Sequence, residues 1–383
     1  MADSRDYNIT LLSWGSNSYG QLCNGHKHDV LYPEQSFPSP SRKVLVLTGG
    51  GGHTALVSGD GKLYVCGWNN KGQLGLGDTV DRATLTHVPG IQAVRQVACG
   101  WNHTLVITDE GCLFVFGSNV FGQLGLETCE GSISSPCQVS LGSKVTDVAA
   151  GLRHSLVILD DSSVWSWGDN KRGQVGIPRS KTKRVGMPTK VAILSDKACQ
   201  VAAGSHHSVV LTENGQVFCW GYNHHGQCGK PVDTETNGHH HNIYDIPQLV
   251  CGDLRNNNVK SIDSGWSHVL ATTDDNQIYS WGRADYGQLG LGDEIVNVGY
   301  SWQPSRIPDL SGVKQLVCGA EHNIALLDSG EVLTWGWNEH SICGFKDERN
   351  LHSPTTLSAV GESRKVRLIG CGGGHTFLVI SQR

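Results

Sequence analysis

The chain of 383 residues sets 30 Lys and Arg against 35 Asp and Glu. The net charge of −5 gives no general attraction to nucleic acid or to an acidic membrane surface. Glycine is the outlier, at 49 residues against a usual share of ~7 %. The 12 prolines follow no period of three, which excludes a collagen-like chain. Met1 is followed by Ala2-Asp3-Ser4-Arg5-Asp6 rather than by a basic and then apolar leader, and no apolar run approaches the ~18 residues of a membrane span. A soluble, single-domain chain over 1–383 is expected, with residues 1–8 as a short polar tail. The 13 cysteines include no C-x-x-C pair, so reduced, packed thiols are expected rather than disulfides.

In chain order, the first readable strand is Ile9-Thr10-Leu11-Leu12-Ser13-Trp14, and nothing before it could serve as its hairpin partner. It runs into Gly15-Ser16-Asn17-Ser18-Tyr19-Gly20-Gln21-Leu22, the first of seven related stretches. Their leading glycines fall at 15, 67, 117, 168, 221, 282 and 336, spaced 50 to 61 residues apart. A second mark, Gly-x-x-His, recurs between them from Gly50/His53 through Gly100/His103, Gly151/His154, Gly204/His207, Gly265/His268 and Gly319/His322 to Gly372/His375. Two independent marks of ~50-residue period, rich in β signals, predict a propeller rather than a helical solenoid.

Within a unit, Arg95-Gln96-Val97-Ala98-Cys99 reads as a strand leading into the Gly-x-x-His turn. Thr104 to Ile107 and Cys112 to Phe116 then form a hairpin about Asp109-Glu110-Gly111. The same turn recurs as Ser58 to Gly61, Glu213-Asn214-Gly215 and Asp328-Ser329-Gly330. The second hairpin strand sets large residues two apart, as in Trp165/Trp167, Phe218/Trp220, Tyr279/Trp281 and Leu333/Trp335, which predicts packing between blades. Each unit supplies three clear strands, with a fourth expected after Gly-Gln-Leu-Gly. Two segments break the period. Lys230 to Ile246, with His239-His240-His241, reads as a polar surface loop. Arg179 to Arg184 is a basic run that fits a solvated loop, an import signal or a patch for an acidic partner.

The chain closes on His375-Thr376-Phe377-Leu378-Val379-Ile380-Ser381, a first hairpin strand with no partner after it. Joining it to Ile9–Trp14 removes both unpaired edges. The predicted fold is all-β: a seven-bladed β-propeller with four-stranded blades, closed by the N-terminal strand pairing with the C-terminal strand.

Units of ~51 residues carrying Trp-Gly-x-Asn-x-x-Gly-Gln-Leu-Gly and Gly-x-x-His resemble the regulator of chromosome condensation family over residues ~9 to 383. Trp281 to Gln288, Trp335 to His340, Gly49 to His53 and Ala150 to His154 resemble most closely its secretion-linked members. The resemblance implies a cytosolic or nuclear protein that acts on a small GTPase and serves control of secretion. The chromosomal member of the family releases nucleotide from the GTPase Ran, using acidic and His residues just before several motif histidines. The matching positions here, Trp101 and Asn102, Arg153 and Ser267, keep none of those side chains, and Arg153 reverses the charge. The basic tail that docks chromatin is also missing. Exchange on Ran and chromatin docking therefore do not transfer residue by residue.

Covalent catalysis has no support: there is no nucleophile elbow, zincin motif or phosphate loop, so no catalytic residue, metal or cofactor is predicted and GTP is not expected to bind this chain itself. The motif histidines are spread one per blade rather than gathered about one ion, and read as turn residues bonding their own blade's backbone. His224, His225 and Cys228 match no zinc spacing. What varies from unit to unit is the pair before each motif histidine. Trp101, Asn102, Arg153, His206, Trp266, Ser267 and Glu321 are therefore the candidate partner-binding residues, gathered at one end of the ring. Trp101 and Trp266 either anchor a partner or tuck against neighbouring loops. The expected partner is a small GTPase, or alternatively a trafficking or secretion protein bound by a non-catalytic, monomeric scaffold.

Overall fold

The computed structural model describes residues 9–36, 39–126, 131–192, 197–233, 242–252, 254, 258–358 and 364–382. Seven four-stranded antiparallel sheets are arranged as blades. Blade 3 shows the plan: Val145–Ala150 innermost, then His154–Leu159, Val164–Asp169 and Arg184–Lys190 at the rim. The second strand of this blade, His154-Ser155-Leu156-Val157-Ile158-Leu159, is buried at all six positions, as is its counterpart in most other blades. A strand with a blade on each side has no wet face, hence its nearly continuous run of β-branched and aliphatic residues. The outer strands carry Pro33, Pro136, Pro188, Pro247, Pro304 and Pro354, which remove a donor from the exposed edge and discourage pairing with another chain.

The closing blade forms as the unpaired termini require. Ile9–Gly15 lies antiparallel against His375–Gln382 in continuous register from Ile9↔Ser381 to Gly15↔His375. Val30–Gln35 flanks it outside and Arg364–Cys371 inside.

Trp14, Trp167, Trp220, Trp281, Trp335 and Phe116 are fully buried between blades, as the strand spacing predicts. Trp165 is only half-buried and its indole donates to Ser163 Oγ. Each buried indole also donates to the carbonyl before the Leu (or its equivalent) of the preceding blade's Gly-Gln-Leu-Gly turn. The bonds are Trp14 to Ile342 (2.7 Å), Trp167 to Gln123 (2.8 Å), Trp220 to Gln174 (3.0 Å), Trp281 to Gln227 (3.1 Å) and Trp335 to Gln288 (3.2 Å). One side chain thus fills the gap left by sheet twist and satisfies a buried carbonyl.

The motif histidines correct the sequence reading in one respect: they reach across to the next blade rather than to their own backbone. Nε2 of His53 meets Thr104 Oγ1 (2.9 Å), His103 meets Ser155 Oγ (3.1 Å), His154 meets Ser208 Oγ (2.9 Å) and His375 meets Thr54 Oγ1 across the closing interface (2.9 Å). The turn brings each imidazole to the blade boundary, where five meet the hydroxyl after the neighbour's own histidine, while His207 meets Ser264 Oγ (3.0 Å) and His268 meets Asn323 Oδ1 (2.7 Å).

Three further expectations change. Lys230 to Ile246 is not loop throughout, because Ile243–Leu249 pairs as the fourth strand of blade 4; alternation in Ile243-Tyr244-Asp245-Ile246 is hidden by the polar stretch before it. The His239-His240-His241 group lies outside the described residues. Blade 5 inserts a six-residue helix, Asp293–Val298, before its outer strand. Finally, Cys23 and Cys66, 43 residues apart, form a disulfide between the closing blade and blade 1. Sequence spacing alone missed it because the two cysteines lie in consecutive units and meet only where those two blades pack together.

Candidate partner-binding face

At one end of the ring two loops per blade are stitched together. The residue after each Trp-Gly-type pair donates its backbone N–H to the carbonyl of the residue before the motif histidine. Trp68 bonds Gly52 (2.8 Å), Ser118 bonds Asn102 (2.9 Å), Asp169 bonds Arg153 (2.9 Å) and Tyr222 bonds His206 (2.8 Å). Arg283 bonds Ser267 (2.9 Å), Trp337 bonds Glu321 (2.8 Å) and Ser16 bonds Gly374 (2.8 Å). Below them the motif asparagines Asn17, Asn69, Asn119, Asn170, Asn223 and Asn338 are fully buried and tie the loop backbone. The non-repeating side chains therefore stand on a fixed frame.

The central channel, about 490 Å³, is lined by the inner strands of all seven blades. At this end Trp101 of blade 2 and Trp266 of blade 5 meet with ring centroids 5.3 Å apart. Those blades are three positions apart in a ring of seven, so the contact crosses the axis and the two indoles cover the channel mouth. Both are half-buried. Gly51 makes room for this: a Cβ there would lie 2.5 Å from the Trp101 ring. Trp68 packs edge-on to Trp101 (6.3 Å), and Tyr19 stacks on Trp68 (4.8 Å, 19°). A line of four rings runs from the closing blade to the channel mouth.

Beside it lies a cationic sector. The Arg153 guanidinium stands 4.2 Å over the Phe121 ring, and Arg172 stands 4.8 Å over Tyr222. His206 meets Tyr222 edge-on at 6.4 Å, and burial lowers its pKa, so it is neutral at pH 7. Glu321 is turned inward: it is 5 % exposed, accepts from Gln288 Nε2 (2.8 Å) and lies 3.9 Å from the Arg283 guanidinium. Asn102 faces Gln123 (3.5 Å), and Ser267 contributes the carbonyl that holds Arg283.

The structure thus brings Trp101, Trp266, Arg153 and His206 to one accessible face, while Glu321 serves the frame. Sequence reasoning missed Tyr19, Trp68, Phe121, Arg172, Tyr222 and Arg283. Their signal was present, since they too occupy positions that vary among the seven copies, but only the stitched loops show that both sets share one end. Among the described residues no group of three or more His, Cys, Asp or Glu is placed to hold a metal ion, and no helix is long and apolar enough to cross a membrane.

This doubled-loop propeller matches the family model described as the RCC1-like domain over residues 8–378. The chain belongs to the RCC1-like domain family. Relatives within the family include the mouse secretion-regulating guanine nucleotide exchange factor, 36 % identical, with 96 % of this chain and 83 % of the mouse protein aligned. Fission yeast protein pim1 is 31 % identical over 97 % of this chain and 74 % of its own length. The crystal structure of yeast RCC1 (Prp20) bound to Kap60 superposes with a TM-score of 0.83 at 22 % identity, covering 98 % of this chain and 90 % of that one, a likeness of fold. Within this RCC1-like frame the buried Asn, Gln, His and Trp residues recur from blade to blade, and what does not repeat is the line of rings and its cationic neighbour.

Proposed function

We propose that this RCC1-like protein is a guanine-nucleotide-exchange-type regulator that grips a small GTPase with the face carrying Trp101, Trp266, Arg153 and Arg172. The observation that carries the reading is the set of partly exposed rings and stacked guanidiniums on a rigid frame, in a chain that aligns along 96 % of its length with a mouse protein named as a secretion-regulating exchange factor. Aromatic and arginine side chains are the usual anchors of protein interfaces, because they bury large areas with little entropy to lose. No covalent chemistry is needed. A partner bound more tightly when its phosphate and Mg²⁺ site is distorted must, by linkage, hold its nucleotide more weakly. The expected location is the cytosol or nucleus, and the cell process is control of secretion.

The test is release of a fluorescent guanine nucleotide from a panel of small GTPases. Faster release is expected with one of them, and Trp101→Ala combined with Arg153→Glu should slow it at least tenfold, since losing two anchors costs on the order of 2–4 kcal/mol. A second reading is favoured by one observation: of the residues just before the motif histidines, only Glu321 is acidic, and it is committed to Gln288 and Arg283. On that reading the same face docks a trafficking protein without exchange. Capture of a GTPase with no change in nucleotide release, or of a non-GTPase partner lost in the same variant, would select it.

A further inference from the structure

The seven blade interfaces repeat one packing device, and one of them departs from it twice. In six copies of the Gly-Gln-Leu-Gly turn the last position is glycine with positive φ: Gly75, Gly125, Gly176, Gly229, Gly290 and Gly344, between 66° and 85°. In five of these the glycine makes room for a large ring on the next blade, while at Gly229 a Cβ would meet Val250 at 2.7 Å. A Cβ would lie 2.9 Å from Phe116 at Gly75, 3.0 Å from Trp167 at Gly125 and 2.8 Å from Trp220 at Gly176. It would lie 3.0 Å from Trp335 at Gly290 and 3.2 Å from Trp14 at Gly344. Only between the closing blade and blade 1 are both partners replaced: Cys23 stands for the glycine, keeping its left-handed φ of 58°, and Cys66 stands for the ring. Both are fully buried and joined, with Cα atoms 6.0 Å apart.

The replacement is coordinated. A side chain at residue 23 is admissible because no indole fills the gap, and a small residue at 66 leaves a void unless something opposite takes up the space. The interface also lacks an indole to bond the Gln21 carbonyl, which accepts from the Thr54 hydroxyl (2.8 Å) and lies 3.5 Å from Cys66 Sγ. The fully buried core here holds Leu11, Leu47, Leu56, Phe377 and Val379 but no tryptophan. With free thiols this interface has neither the large ring of the others nor the covalent link, and it is the one that seats the N-terminal closing hairpin on blade 1.

We propose that Cys23 and Cys66 form a reversible thiol–disulfide latch that fixes the closing hairpin to blade 1 and makes ring closure dependent on redox conditions. Oxidation by a low-molecular-weight disulfide such as glutathione disulfide balances simply: the two thiols give up two protons and two electrons, one S–S bond forms in the protein, and the reagent's S–S bond is cleaved to two thiols. Dithiothreitol reverses the exchange. The linkage closes a loop spanning 43 positions in sequence and so removes freedom from the opened chain. The latch stands independently of which partner the face binds.

The test uses the full chain, purified reduced and then equilibrated with glutathione disulfide. Peptide mapping after alkylation should find Cys23 linked to Cys66, and the oxidised protein should melt roughly 3–8 °C above the reduced one. Cys66→Ser should melt like the reduced protein in either condition. Cys23→Gly with Cys66→Trp rebuilds the packing of the other interfaces and should abolish the redox dependence while melting above reduced wild type. Free thiols at both positions after full oxidation, or equal melting of the linked and reduced forms, would overturn the latch.

Discussion

Trp335 shows how one residue serves both packing and hydrogen bonding. Its ring fills the gap between blades 5 and 6, and its indole reaches the Gln288 carbonyl, which also accepts from Asn323 Nδ2 (2.9 Å). Trp335→Phe removes one donor while the carbonyl keeps the other, so a loss of about 1 kcal/mol is expected. Trp335→Ala also empties the gap and should cost about 3–5 kcal/mol. Urea unfolding of both variants checks the ordering, and equal losses would show that the indole hydrogen bond, which both variants lack, outweighs the packing. The ring was legible in the sequence because it recurs two residues from another large side chain. Its hydrogen bond was not, since the acceptor lies in the preceding unit, 47 positions away.

At the scale of an element, the strand Ile9–Gly15 carries the closure. It pairs on both sides, with His375–Gln382 and with Val30–Gln35, so deleting residues 1–14 strips two ladders of hydrogen bonds from one sheet and exposes the edge of His375–Gln382. The truncated chain should melt well below the full one, by on the order of 10 °C or more, and be cut by protease in the C-terminal strand first. Unchanged melting would mean that blade 7 does not depend on the hairpin. This strand was legible from two orphaned ends of the chain. The strand Ile243–Leu249 was not, because its local polarity resembles loop and only pairing with Val217–Tyr222 selects it.

The whole ring responds to pH because its histidines are distributed. Burial holds His53 down to about 4 and His103, His207, His322 and His375 down to about 3, with His154 also well below its usual value. Unfolded histidine titrates near ~6.5. Between there and the lowered values the unfolded chain takes up protons that the folded chain refuses, so stability falls as pH falls, by up to ~1.4 kcal/mol per pH unit for each histidine. Asp263, pushed up to about 7 by burial, and Asp147, raised by the same cause, act in the opposite sense. With His206 and His225 also lowered by burial, eight groups against two leave the histidines dominant. The melting temperature should therefore drop steadily from pH 6.5 to 5, and a flat profile in scanning calorimetry would contradict the buried, neutral imidazoles. His154→Gln should make that profile shallower, at the expense of some stability at pH 7.

The sequence by itself determined the blade count, the strand order, the closure and the residues that do not repeat, because each unit restates the same local chemistry and period is a property of the chain alone. Even the Cys23 and Cys66 departures were visible as a cysteine for a glycine and a cysteine for a ring. Only the tertiary structure decided which departures meet. Trp101 and Trp266 are 165 residues apart in the chain and touch because blades 2 and 5 face each other across the axis. Glu321, which varies like a surface residue, turns inward because Gln288 and Arg283 are there to receive it. Periodicity fixes where each residue sits within its own blade, whereas the packing of blades around the ring sets distances between them, and that is where the face and the latch are made.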